Sequence, residues 1–251
     1  MDLKEFRDYS SSNIDYGMDT VGTRERELLM SEAFPVLMRK VYTWMALALV
    51  ITGLTAYYVA SSPAVLSLIF GNQIVFWGLL IGEFALVMGV TAAINRLSLT
   101  TATLLFVLYS VINGATLSSI FMVYTMSSIT SVFFITAGTF AAMAAFGFFT
   151  KTDLTSMGKI LLMALIGLII ATLVNIFMKS EGLAVILNYL GVLVFVGLTA
   201  YDSQKIKEMM LMAPDAGEGA QKLALLGALS LYLDFINLFL YLLRIFGSRR
   251  D

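Results

Sequence analysis

Three acidic side chains fall inside apolar runs: Glu83, Asp202 and Asp234. A charge at bilayer depth is costly, so it normally faces protein or water and marks a function. Asp234 is the most informative, lying near the middle of the run from Leu223 to Phe246. About 20 helical residues cover the ~30 Å hydrocarbon core, so that run is long enough to span a bilayer. Gly227, Ser230, Asp234, Asn237, Tyr241 and Arg244 follow one another at steps of 3, 4, 3, 4 and 3. That spacing puts them on one helix face and leaves Leu, Phe and Ile for the others. A polar seam on a membrane helix looks inward, at a bundle or a pore.

Asp202 extends the argument. From the ~1.5 Å rise per residue, Asp234 lies ~18 Å from the cytoplasmic end of its helix and Asp202 ~9 Å from that of the preceding one. Tilt closes much of that gap, and antiparallel helices joined by one loop would bring both carboxyls to one site. Two carboxyls in contact at low dielectric do not both ionise easily, so the pair can share a proton and titrate as a unit. The plainer alternative for Asp202 is an interfacial acid paired with Lys205 or capped by Ser203. For Asp234 it is a buried, hydrogen-bonded carboxylic acid.

Glu83 lies about nine residues below the outer end of its segment, and Arg244 near the outer end of the last one. A long Arg side chain can reach inward, making an outer ion pair that either lines a pathway or simply locks the bundle. Arg96, at the inner end of the second segment, is placed to approach Asp202, although a cytoplasmic anchor is the ordinary role for an Arg there. The third segment adds Ser110, Asn113 and Thr116. Small residues crowd segments three and four, among them Gly114, Gly138 and Gly147, as close helix packing requires.

These residues must be held by membrane-spanning helices. Hydrophobic residues make up 59% of the 251 and charged ones 13%, about half the share usual in a soluble chain. Mean hydropathy is +0.87, so the expected class is an all-α polytopic membrane protein surrounded by lipid. A net charge of -1 offers no basic footprint for nucleic acid. Cysteine and histidine are both absent. That removes thiolate and Ser-His or Cys-His chemistry, the usual zinc hydrolase site and any cofactor built on them. An enzyme is not expected; an intramembrane hydrolase would have only these acids to activate a Ser. Without histidine, a pH response near neutrality must come from a perturbed carboxylate.

Residues 1–35 read as a polar cytoplasmic tail or surface helix, and 36–251 as a seven-helix transmembrane domain. The spans are expected near 41–60, 74–93, 100–123, 131–149, 160–178, 185–208 and 222–246. The connectors are short, so sequential helices should be antiparallel neighbours. With the N-terminus inside, ten Lys and Arg in the flanks fall on the cytoplasmic side and four outside, favouring that orientation.

Several of these stretches resemble a known family. Ala228-Leu-Ser-Leu-Tyr-Leu-Asp234-Phe-Ile-Asn-Leu-Phe-Leu-Tyr-Leu-Leu-Arg244-Ile-Phe-Gly247 closely resembles the last helix of the Bax inhibitor-1 family. Gly197-Leu-Thr-Ala-Tyr-Asp202-Ser-Gln-Lys-Ile-Lys207 looks like its sixth-helix motif. Arg39-Lys-Val-Tyr-Thr-Trp-Met45 resembles its entry to helix one, and Gly82-Glu83 its acidic second helix. The resemblance implies seven helices with the last at the centre, a pH-sensitive calcium leak, and a place in a bacterial inner membrane. It makes Asp202 and Asp234 a hydrogen-bonded pH sensor and gate, with Glu83 and Arg244 a further polar element. One departure is that the family's inner latch, an Arg reaching the sixth-helix acid, falls on Ile94. Only Arg96 remains, two residues and about 200° of helix further on.

Two functions follow as expectations. The first is a calcium leak gated by protons, with calcium as transported ion held transiently by Asp202, Asp234 and Glu83, since oxygen ligands suit a hard cation. The second is a regulatory protein that binds other membrane proteins, such as a protease or cell-death factors, through residues 1–35.

Overall fold

The computed structural model describes the backbone of residues 3–213 and 215–250, and the side chains of those from residue 32 onward. The chain forms helices α1 (Leu3–Ala60), α2 (Pro63–Phe70), α3 (Gln73–Ala93), α4 (Leu99–Leu117), α5 (Ile120–Val123), α6 (Met126–Phe149), α7 (Thr155–Met178), α8 (Glu181–Leu211) and α9 (Glu218–Phe246). Among the described residues, seven spans are long and apolar enough to cross a membrane: Glu32–Ala60, Gln73–Ala93, Leu99–Val123, Met126–Phe149, Thr155–Met178, Glu181–Leu211 and Glu218–Phe246. Each overlaps one of the expected segments. The protein is an all-α integral membrane protein.

Local chemistry explains most boundaries. Side-chain oxygens of Asn72, Ser98, Thr125 and Ser180 accept from the first-turn N–H groups of α3, α4, α6 and α8, satisfying donors that the helix leaves free. Lys179, at φ 51°, closes α7 in the left-handed conformation. Two details depart from expectation. Pro63–Phe70, outside the seven segments, is a short helix, started by a proline whose fixed φ suits the first helical position. α1 is continuous through Pro35, so residue 35 marks a change of composition and not a helix boundary.

The last helix is the core of the bundle. Within its most apolar window, 67% of α9 is buried inside the protein, against 6% for α3 and for α7. It packs on α1, α4, α6 and α8, whereas α7 rests on α8 and α3 on α4 and α2. Lipid gives helices no hydrophobic reason to associate, so close contact between backbones supplies the attraction. Gly114 in α4 lies against the backbone of Thr52 in α1, and Gly147 in α6 against that of Ala200 in α8.

Candidate functional site: an acidic cavity beside the central helix

α9 carries polar groups on two faces, and they serve different neighbours. One face is the polar seam that the 3,4 spacing predicts. Ser230, Asp234, Asn237 and Tyr241 line a cavity of about 570 Å³, closed on the other sides by α7, α8 and Phe84 of α3. Asp202, on α8, lines the same cavity. Asp234 is 5% exposed, and its buried Oδ2 has no hydrogen-bond partner among the described residues. Asp202 is half-buried. The two acids thus meet one space without a hydrogen bond between them among those formed by the described residues.

The plainer alternatives for Asp202 do not form. Ser203 turns away and donates to the Ala144 carbonyl at 2.8 Å. Lys205 lines the cavity but sits 5.9 Å from the Tyr201 ring centroid, and among the described residues the ion pair is Lys222–Glu218, at 3.0 Å. Lys159 joins Lys205 at the same end. Room there depends on Gly158, where a Cβ would run into the Tyr201 ring.

Glu83 does not belong to this cavity. Its Oε1 accepts from the Thr116 hydroxyl at 2.7 Å and its Oε2 from Asn113 Nδ2 at 3.4 Å. The Asn113 Oδ1 accepts in turn from the Tyr232 hydroxyl at 2.9 Å. The Thr52 hydroxyl lies 2.7 Å from that of Tyr232 and 2.9 Å from the Ser110 carbonyl, and its single proton serves one or the other. This chain ties α1, α3, α4 and α9 together on the face of α9 away from the acid pair. It overturns the expected Glu83–Arg244 ion pair, because α3 is seated on α4 and points its acid there. It also removes Glu83 from a shared calcium site: no three acidic groups come together among the described residues.

Arg244 instead lies 5.3 Å from the Tyr241 ring centroid. With Arg249, Tyr124, Asn175 and Asn188 it lines a second cavity, of about 340 Å³. Arg96 does not latch Asp202. The end of α3 winds on through a tight turn, with Arg96 and Leu97 N–H both bonded to the Ala93 carbonyl. Ile94 is thereby buried in the core and Arg96 left exposed.

Sequence reasoning does not single out Tyr232 or Thr52. A signal exists for Tyr232: tyrosine favours the membrane interface, and one at mid-span needs a partner for its hydroxyl. For Thr52 there is none, since a lone Thr on an apolar helix commonly bonds its own backbone.

Comparison with known proteins agrees with this architecture. The family described as inhibitor of apoptosis-promoting Bax1 matches residues 35–251. The chain is 52% identical to the Escherichia coli K12 inner membrane protein YbhL over 215 residues, 85% of this chain and 92% of that protein. An uncharacterised protein of Rickettsia prowazekii is 44% identical over 242 residues, covering 95% of this chain and all of the relative. One of Borreliella burgdorferi is 46% identical over 227 residues, 90% of this chain and 97% of the relative. A match that runs from the first span to the C-terminus makes the chain a member of the Bax inhibitor-1 family.

Proposed function

We propose that this protein is a pH-sensitive, calcium-permeable leak whose gate is the Asp202–Asp234 pair. The observation that carries this reading is a mid-span carboxylate with an unpartnered buried oxygen, opening on the same cavity as a second carboxylate. An orphaned polar atom in a membrane core is costly, and a shared proton or a passing cation satisfies it. In the closed state the two acids hold one proton between α8 and α9. As pH rises the second ionisation sets two negative charges face to face, and separation of the walls relieves the repulsion. Ionised carboxylates and the Asn237 amide then offer the oxygen ligands that calcium prefers.

The site sits in a bacterial inner membrane, as YbhL does in Escherichia coli. The N-terminus is cytoplasmic, which sets Lys159 and Lys205 at the inner mouth of the cavity. Calcium flux into proteoliposomes, measured against pH, tests the gate. Asp234→Asn, which cannot ionise, should abolish the pH dependence. A mutant that leaks with the wild-type profile would move the gate elsewhere.

A further inference from the structure

The cavity holding the acids and the cavity holding Arg244 and Arg249 have one lining residue in common, Tyr241. Its ring is set in place from three directions. Phe195 of α8 stacks on it, with centroids 5.8 Å apart and planes 27° from parallel. The Arg244 guanidinium carbon lies 5.3 Å from the ring centroid. Gly191, one turn before Phe195 on α8, leaves the space the ring fills, since a Cβ there would sit 2.5 Å from it. A large ring so placed lies between two polar spaces, unlike the aromatic residues of α9 that pack into apolar contacts, such as Phe235 against Phe133 and Phe140.

We propose that the Tyr241 ring is the partition between the two cavities, the point at which the path is closed on the side of Arg244. This rests on reading the two cavities as parts of one path across the membrane. The acid pair then decides when the walls separate, and the tyrosine decides whether the two spaces communicate. An aromatic constriction of this kind excludes hydrated ions by leaving no room for their water. The Arg244 charge over the ring face adds a cation–π attraction that holds it shut.

The natural chain has no cysteine, so a single thiol reports access cleanly. Ser230→Cys places one in the acid cavity, and Asn188→Cys places one in the other cavity. A charged, membrane-impermeant thiol reagent is applied to either side of sealed vesicles at a pH where the wild type is closed, without calcium. With Tyr241 intact, Ser230→Cys should react from one side and Asn188→Cys from the opposite one. Adding Tyr241→Ala should make Ser230→Cys react from both, its slow side speeding up by about an order of magnitude or more. Tyr241→Phe should keep labelling one-sided. Where the alanine variant does not fold, Tyr241→Leu serves, removing the ring and keeping apolar bulk. Two-sided labelling with Tyr241 intact, or one-sided labelling after the ring is removed, would overturn the partition. Labelling is read without ion flux, so the outcomes separate. If Asp234→Asn keeps the wild-type flux profile while sidedness depends on Tyr241, the gate fails and the partition stands. If Asp234→Asn abolishes the pH dependence while sidedness ignores Tyr241, the gate stands and the partition fails.

Discussion

The hydroxyl of Tyr232 is the group whose removal best separates framework from gate. It is wholly buried and bonded both to Thr52 and to Asn113, and it lies on the face of α9 turned away from the acid cavity. Tyr232→Phe keeps the ring and strips one donor, leaving buried oxygens short of a partner. Interhelical hydrogen bonds in membranes average well below those orphaned in a dry core, so the loss should be about 0.5–2 kcal/mol. Thermal unfolding in detergent should show that loss, while calcium flux keeps the wild-type pH profile. A shifted profile would mean that the two polar faces of α9 are coupled. At this scale the sequence is informative about chemistry and weak on partners. Asp234, Asn237 and Tyr241 can be grouped because one helix orders them. Glu83 is recognisable as a buried acid but is matched to the wrong cation, because its true partners depend on which helix α3 rests against. That choice, α4 over α9, is made by tertiary packing and not by any spacing along the chain.

Helices in lipid approach as closely as their smallest residues allow, which makes individual glycines unequal. A Cβ at Gly114 would lie 2.5 Å from the Thr52 carbonyl oxygen, a backbone atom that cannot step aside, whereas at Gly138 nothing lies within 4 Å. Gly114→Ala should therefore force α1 and α4 apart and cost about 1–3 kcal/mol, as overpacking does. Gly138→Ala should be neutral or stabilise by about 0.5–1 kcal/mol through the usual helix preference. Comparing the two variants in the same unfolding assay checks the contrast, and equal losses would show that α1 and α4 do not pack through Gly114. The sequence points to both glycines as packing residues and has no means of ranking them. Helix starts depart from expectation too: the spans expected from about 131 and 185 begin at Met126 and Glu181. Ser98, Thr125 and Ser180 cap through bonds to backbone only three residues away, so local chemistry decides them. The helix at Pro63–Phe70 escapes notice because eight residues are too few to register as a span.

For the molecule as a whole, the proposed pH response has few sources, since histidine is missing. Asp153, in the connector before α7, is one acid that does not supply it. Hydrogen bonds from Thr155 hold its carboxyl below the usual carboxylate range. A depressed folded-state value contributes stability above the unfolded one and loses it as pH falls, so its effect is confined below about pH 4. The proposed response nearer neutrality would therefore have to come from acids inside the bundle. Membership of the bundle is legible throughout: seven apolar runs and short connectors leave one compact arrangement, whereas the central place of α9 is implied by the family resemblance and not by any spacing. What the chain does with residues before Glu32 is not legible, because composition alone does not distinguish a docking arm from a solvated extension. The helix α1 has 58 residues, of which the 29 from Glu32 to Ala60 belong to the span. At ~1.5 Å per residue, 29 already exceed the ~30 Å core, so the remainder is not needed to cross it. The family match likewise begins at residue 35. If the proposed leak is right, deleting residues 1–30 should therefore leave calcium flux and its pH profile unchanged in proteoliposomes, because every group assigned to the gate and the partition lies beyond Glu32. The same deletion would abolish function if the protein worked by capturing other membrane proteins through that segment. A truncated chain that no longer conducts, yet keeps its unfolding temperature, would make the N-terminal segment part of the conducting unit and defeat the assignment of the leak to the seven spans.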